Sequence, residues 1–175
     1  MNFSDAAKLI RDIPDYPKAG ILFRDITPLL SDGDAFASTI DEIDRLAPDT
    51  HFIAGAEARG FILGSALAAK RKVGFIPLRK PGKLPGPYQS ISYGLEYGSD
   101  ELQVHEGQVP VGASILFIDD VLATGGTAQA GIQLLTQIGA DVAAAIFLLE
   151  IQGLEGRTKI RATFPELSII SLVSG

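Results

Sequence analysis

With 175 residues, 46% of them hydrophobic, the chain is long enough to bury one substantial core and too apolar for disorder. It contains no cysteine, which excludes disulfides, thiolate nucleophiles and thiolate metal sites, and no apolar run approaches the ~20 residues of a membrane span. A net charge of −6 disfavours nucleic acid as a partner. Residues 1–5 lack the basic-then-apolar pattern of an export signal, so a cytoplasmic protein of one domain, 1–175, with no membrane partner is expected.

In chain order, Ser4 reads as the N-cap of a helix to about residue 12, with Ala7, Leu9 and Ile10 apolar. A Pro- and Gly-containing approach, 14–20, leads into Ile21-Leu22-Phe23-Arg24-Asp25-Ile26. From Asp34, the spacing of Phe36, Ile40, Ile43 and Leu46 predicts a second helix, which Pro48 closes. Residues 51–56 read as a buried strand, 60–72 as a helix and 73–78 as the next strand. Three prolines and two glycines make 79–89 a mobile connection. Residues 90–97 and 101–105 then predict an antiparallel hairpin about a Gly98-Ser99-Asp100 turn. A strand from Ser114, a helix to about residue 138, a strand over 140–151, a short helix over 155–160 and a strand over 167–173 complete the chain. This alternation predicts an α/β fold whose mostly parallel sheet is covered on both faces, with ligands beyond the strands' C-terminal ends.

The most informative segment is Ile118-Asp119-Asp120-Val121-Leu122-Ala123-Thr124-Gly125-Gly126-Thr127-Ala128, which follows the apolar run Ser114-Ile115-Leu116-Phe117. An apolar strand is expected to end in two carboxylates, with a small loop and a helix after it. Asp119 and Asp120 offer acceptors for vicinal hydroxyls. Ala123, Thr124, Gly125, Gly126 and Thr127 offer successive N–H groups at a helix start, suited to a phosphate monoester. Hydroxyls and phosphate together suggest a ribose 5-phosphate. The segment lacks the lysine of a P-loop and the glycine pattern of a dinucleotide site.

Charge is unevenly distributed. Between Glu57 and Glu96 there is no acid, while Arg59, Lys70, Arg71, Lys72, Arg79, Lys80 and Lys83 supply seven cations. Lys70, Arg71 and Lys72 suit a helix C-terminus. The others fit an anionic ligand. Arg59, in the turn Ala54-Gly55-Ala56-Glu57-Ala58-Arg59-Gly60-Phe61, either closes a structural salt bridge or completes a second anion seat. The loop Arg79-Lys80-Pro81-Gly82-Lys83 is either solvated or a lid over diphosphate. Glu96 sits between Tyr93 and Tyr97 beside that loop. His51 and His105 lie in unrelated segments without metal-ligand spacing.

The double acid with its glycine loop resembles the phosphoribosyl diphosphate (PRPP) motif of type I phosphoribosyltransferases. From about residue 13 to 151 the chain is similar to the adenine-specific family of that group. The likeness rests on Gly20-Ile21-Leu22-Phe23-Arg24-Asp25-Ile26-Thr27-Pro28, residues 57–61, 79–87 and 95–98, and the acid–glycine segment. It implies the type I phosphoribosyltransferase fold, with a small N-terminal hood (about 1–33) and a lid loop and hairpin (about 79–105). It also implies transfer of phosphoribose from PRPP to N9 of adenine, with Mg²⁺ held by PRPP and reaching Asp119 and Asp120 at most through water. The same resemblance assigns the ribose hydroxyls to Asp119 and Asp120 and the 5′-phosphate to residues 123–127. Diphosphate falls to Arg59, Lys83 and, across a homodimer, Arg79, and Lys80 is placed among the residues that bind PRPP. Phe23 and Ile151 would sandwich adenine, with Leu22 reading its edge and Arg24 nearby. Glu96 would be the general base, with Tyr97 beside ribose or diphosphate.

Two rivals remain at this stage. One is a phosphoribosyltransferase for xanthine or another purine, against which Phe23-Arg24-Asp25 and Leu95-Glu96-Tyr97 speak. In place of the lysine typical of 6-oxopurine enzymes, the strand over 140–151 ends in Glu150-Ile151. The other is a PRPP-sensing regulator, for which the chain has neither spare length nor a basic surplus. Ala58 stands where some relatives carry Ser.

Overall fold

A computed structural model describes residues 1–94 and 99–175, which form two compact units, Met1–Leu46 and Ala47–Gly175. The first unit opens with α1 (Phe3–Ala7). Its cap is Asn2, whose Oδ1 accepts the Asp5 N–H at 2.9 Å. The expected helix from Ser4 to residue 12 is thus corrected at both ends. Arg11–Pro14 forms strand β1, which pairs antiparallel with β2 (Leu22–Asp25). Pairing with a distant strand overrides the local helical pattern.

Ion pairs fasten this ribbon, Arg11 to Asp25 at 2.7 Å and Arg24 to Asp12 at 2.8 Å. Asp25 also accepts the Thr27 N–H at 2.9 Å, where α2 (Thr27–Ser31) begins. Bonds from Thr27, then from Arg11, pull its carboxyl down to about 2. Helix α3 (Gly33–Leu46) follows and buries Ile40 and Ile43, as their spacing predicts.

In chain order the second unit comprises β3 (Phe52–Ala56), α4 (Arg59–Arg71), β4 (Gly74–Leu78), β5 (Tyr88–Gly94), β6 (Ser99–His105), β7 (Ser114–Leu122), α5 (Gly126–Gln137), β8 (Asp141–Glu150), α6 (Gly156–Thr163) and β9 (Ser168–Ser174). Five of these strands form one all-parallel sheet in the order β4-β3-β7-β8-β9. Its centre is unbroken hydrocarbon: residues 115–118 of β7 and 144–149 of β8 are all buried. A parallel sheet enclosed on both faces requires that composition. The expected α/β class is therefore observed.

Two differences from expectation bear on the site. Ser99 and Asp100 pair with Gly94 and Tyr93, so they belong to β6 and not to the hairpin turn. Strand β7 continues to Leu122, because the ten-residue β8 carries the pairing onward through Asp119–Phe147, Val121–Leu149 and Leu122–Glu150. The two acids lie within a strand and not at its end.

Beyond β7, residues 123–125 pass under the start of α6. A Cβ on Gly156 would collide with the Ala123 carbonyl oxygen and stand 3.0 Å from the Gly125 nitrogen. Gly125 itself has φ +79, a conformation open to glycine. Gly156→Ala should therefore cost about 1–3 kcal/mol by overpacking. Thermal unfolding should show Tm lowered by several degrees, and an unchanged Tm would mean that the loop yields freely.

Candidate active site

Asp119 and Asp120 follow the buried apolar run 115–118 within β7. Asp120 is 4% exposed and Asp119 is half-buried. Asp119 Oδ1 accepts the Asp120 N–H at 2.9 Å. Arg59 Nε lies 2.8 Å from Asp120 Oδ2. So Arg59 does close an ion pair, with 41% of its side chain still exposed.

That contact requires α4 to start almost against β7. Gly60 permits it: a Cβ there would lie 2.8 Å from the Ile118 carbonyl oxygen and 3.0 Å from Asp119 Oδ1. The peptide entering the turn, Glu57–Ala58, is cis. The two segments singled out in the sequence, 57–60 and 119–127, thus adjoin.

Burial pushes the Asp119 carboxyl well above its ordinary range, and the neighbouring Asp120 charge adds to the shift. Burial also raises Asp120, against the opposing pull of Arg59. Two acids crowded into a poorly hydrated place gain from an approaching hydroxyl or cation.

Residues 123–125 lead into α5, whose first turn no side chain caps. Its leading N–H groups are therefore available to an anion. A small cavity opens there, lined by Asp119 and residues 121–128. Ala123, Thr124, Gly125, Gly126 and Thr127 come together as one cup.

The basic loop is tied down by acids that sequence reasoning left out. Glu57 Oε2 lies 3.3 Å from Arg79 Nε and accepts the Lys80 N–H at 2.8 Å. Burial opposes ionisation of Glu57, but those two groups prevail and hold its carboxyl below the usual range. The Lys80 ammonium pairs with Asp100 and lies 3.0 Å from the Tyr93 hydroxyl. Tyr93 donates to Asp100 at 3.0 Å and accepts from the Thr127 hydroxyl at 3.3 Å. A chain of polar contacts therefore links Lys80 with the cup. Lys83 is exposed, and its carbonyl accepts from Arg79 at 3.4 Å.

Leu22, Phe23 and Arg24 belong to the first unit, where Phe23 meets Tyr16 edge-on at 5.3 Å and Leu22 is exposed. Ile151 follows β8, half-buried, and its N–H donates to the Leu122 carbonyl at 2.9 Å. Glu96 and Tyr97 lie outside the described residues.

An adenine phosphoribosyltransferase of Xanthomonas axonopodis pv. citri is 52% identical over 164 residues, 93% of this chain and 88% of that one. The chain belongs to the adenine phosphoribosyltransferase family. Among solved structures, the adenine phosphoribosyltransferase of Thermoanaerobacter pseudethanolicus superposes with a TM-score of 0.92 at 43% identity, covering 99% of this chain and 100% of that one. The Giardia lamblia enzyme complexed with 9-deazaadenine gives 0.90 at 36%, covering 100% and 98%. No family model matches the chain. Membership in the adenine phosphoribosyltransferase family places its sheet in the type I phosphoribosyltransferase fold.

The raised carboxyls make a stability prediction with a definite sign. An acid whose folded pKa exceeds its ordinary 3.8 binds more protons folded than unfolded, so stability falls as pH rises above that value. Asp119→Asn should raise Tm at pH 7 by about 2–4 °C, equivalent to about 1 kcal/mol, and by less at pH 4. Thermal scans at both pH values test this, and a lower Tm at pH 7 would contradict it.

Proposed function

We propose that the protein transfers the 5-phosphoribosyl group of PRPP to N9 of adenine, releasing AMP and diphosphate. The observation carrying this reading is 52% identity to an adenine phosphoribosyltransferase across 93% of the chain. The junction of β7 with an uncapped α5 supports it, since it joins hydroxyl acceptors to an anion cup.

In this reading Asp119 and Asp120 bind the ribose hydroxyls, and Arg59 beside them favours the ionised form of Asp120. Residues 123–127 bind the 5′-phosphate. As the C1′–oxygen bond to diphosphate breaks, negative charge accumulates on the leaving group. Arg59 and Lys83 stabilise it, with Arg79 acting across a homodimer, and Lys80 helps to bind PRPP. The N9 lone pair forms the new bond to C1′, and Glu96 accepts the proton from N7. Tyr97 lies beside ribose or diphosphate. Because diphosphate is already a good leaving group, positioning and charge stabilisation account for most of the catalysis. The adenine-contacting roles of Leu22, Phe23, Arg24 and Ile151 rest on the family resemblance.

The donors present fit Mg²⁺ carried in by the substrate. Among the described residues no three His, Asp or Glu side chains converge on one point. Asp119 and Asp120 offer hard oxygen donors to the ion's water shell. Bound with PRPP, Mg²⁺ would neutralise phosphate charge. No helix among the described residues is long and apolar enough to cross a membrane. A cytoplasmic enzyme of one domain, with hood and lid as set out above, belongs to the same proposal.

A panel of purine bases assayed with PRPP, with and without Mg²⁺, tests the assignment. Adenine alone should be consumed, yielding AMP and requiring Mg²⁺; consumption of xanthine or guanine instead would overturn it. Glu96→Gln should lower kcat by about 10²-fold or more with little change in the KM for adenine. A near-wild-type kcat would remove Glu96 from the general-base role.

A further inference from the structure

Helix α6 carries three cations with different surroundings. Arg157 is committed to Glu150, through Nε at 3.0 Å from Oε1, and to the Ile169 carbonyl at 2.7 Å. Arg161 contributes to the field that keeps Glu150 ionised. Lys159 faces elsewhere. Its Nζ lies 3.8 Å from where a Cβ on Gly126 would stand, against the first residue of α5. The side chain is exposed, and no carboxylate pairs with it among the described residues.

An ammonium in that place is electrostatically unfavourable on its own. A helix N-terminus carries positive partial charge, so a cation there raises the energy unless an anion lies between them. The backbone that carries it is also fixed. Gly156, three residues earlier in α6, packs on the Ala123 carbonyl and the Gly125 nitrogen, and the Lys159 N–H continues the helix by donating to the Glu155 carbonyl at 2.9 Å. The Lys159 ammonium therefore stands beside Gly126, which lines the cavity formed by Asp119 and residues 121–128.

We infer that Lys159 is the side-chain cation of this cup, binding the terminal phosphomonoester of the sugar phosphate. The inference rests on the function proposed above and adds a residue outside the acid–glycine segment. Lys159 is the missing positive charge of a seat otherwise built from backbone N–H groups. It binds the phosphate shared by PRPP and AMP, and has no role toward the base.

The test compares AMP with adenosine, which differ only in that phosphate, by calorimetry on the full chain. Lys159→Ala should weaken AMP about fivefold, leave adenosine unchanged, and lose most of this effect in ~1 M salt. Lys159→Arg should restore most of the AMP affinity. Because the ammonium is unfavourably placed in the unliganded protein, Lys159→Ala should melt at or above the wild-type Tm. Unaltered AMP affinity, or equal losses for AMP and adenosine, would overturn the inference. If wild-type protein converts adenine and PRPP to AMP while Lys159→Ala binds AMP normally, only Lys159 is wrongly assigned. If the wild type makes no AMP, the underlying function falls as well.

Discussion

Two adjacent carboxylates in a central parallel strand repel each other, and Arg59 supplies the compensating charge at 2.8 Å. Much else in the second unit follows from this contact. Arg59 is the first residue of α4, so that helix must begin hard against β7. Gly60 allows the approach, and Gly55 allows the same crowding one strand away, where a Cβ would lie 2.6 Å from the Gly60 carbonyl oxygen. Placing β3 directly beside β7 brings the turn carrying Arg59 to the acids. Sheet order, glycine positions and site chemistry thus answer one electrostatic requirement.

The cup beyond β7 is likewise built mainly from backbone. An uncapped helix start, a left-handed glycine and the tight seating of α6 leave few positions where side-chain substitution would be neutral. Stability is given up in the same region. Asp119 and Asp120 both titrate above the usual carboxylate range because burial withholds water from them. A protein folded around this pair is less stable than its hydrocarbon core alone would make it, and a ligand that supplies hydroxyls or positive charge relieves the deficit.

The central sheet was legible because fully buried strands carry continuous apolar runs, as residues 115–118 do. The acid–glycine segment was legible because its residue types combine in one short stretch. The N-terminal ribbon was not. Arg11-Asp12-Ile13-Pro14 has two charges and a proline, and only its pairing with β2 makes it a strand. Helix α2 escaped notice because five residues without a side-chain cap give little local signal. The partners of the basic loop were hidden by separation, since Arg79 reaches back 22 positions to Glu57 and Lys80 forward 20 to Asp100. One clue existed: Glu57 borders the acid-free interval, and it became the counterion of the loop inside it.

Those counterions change how the loop meets solvent. Arg79 and Lys80, though close together in sequence, do not display a bare positive surface, because Glu57 and Asp100 already screen them. A diphosphate drawn to these cations would compete with Glu57 and with Asp100, which also reaches, through Tyr93, to Thr127. Anion binding there would be an exchange of partners, which favours a ligand able to occupy several positions at once.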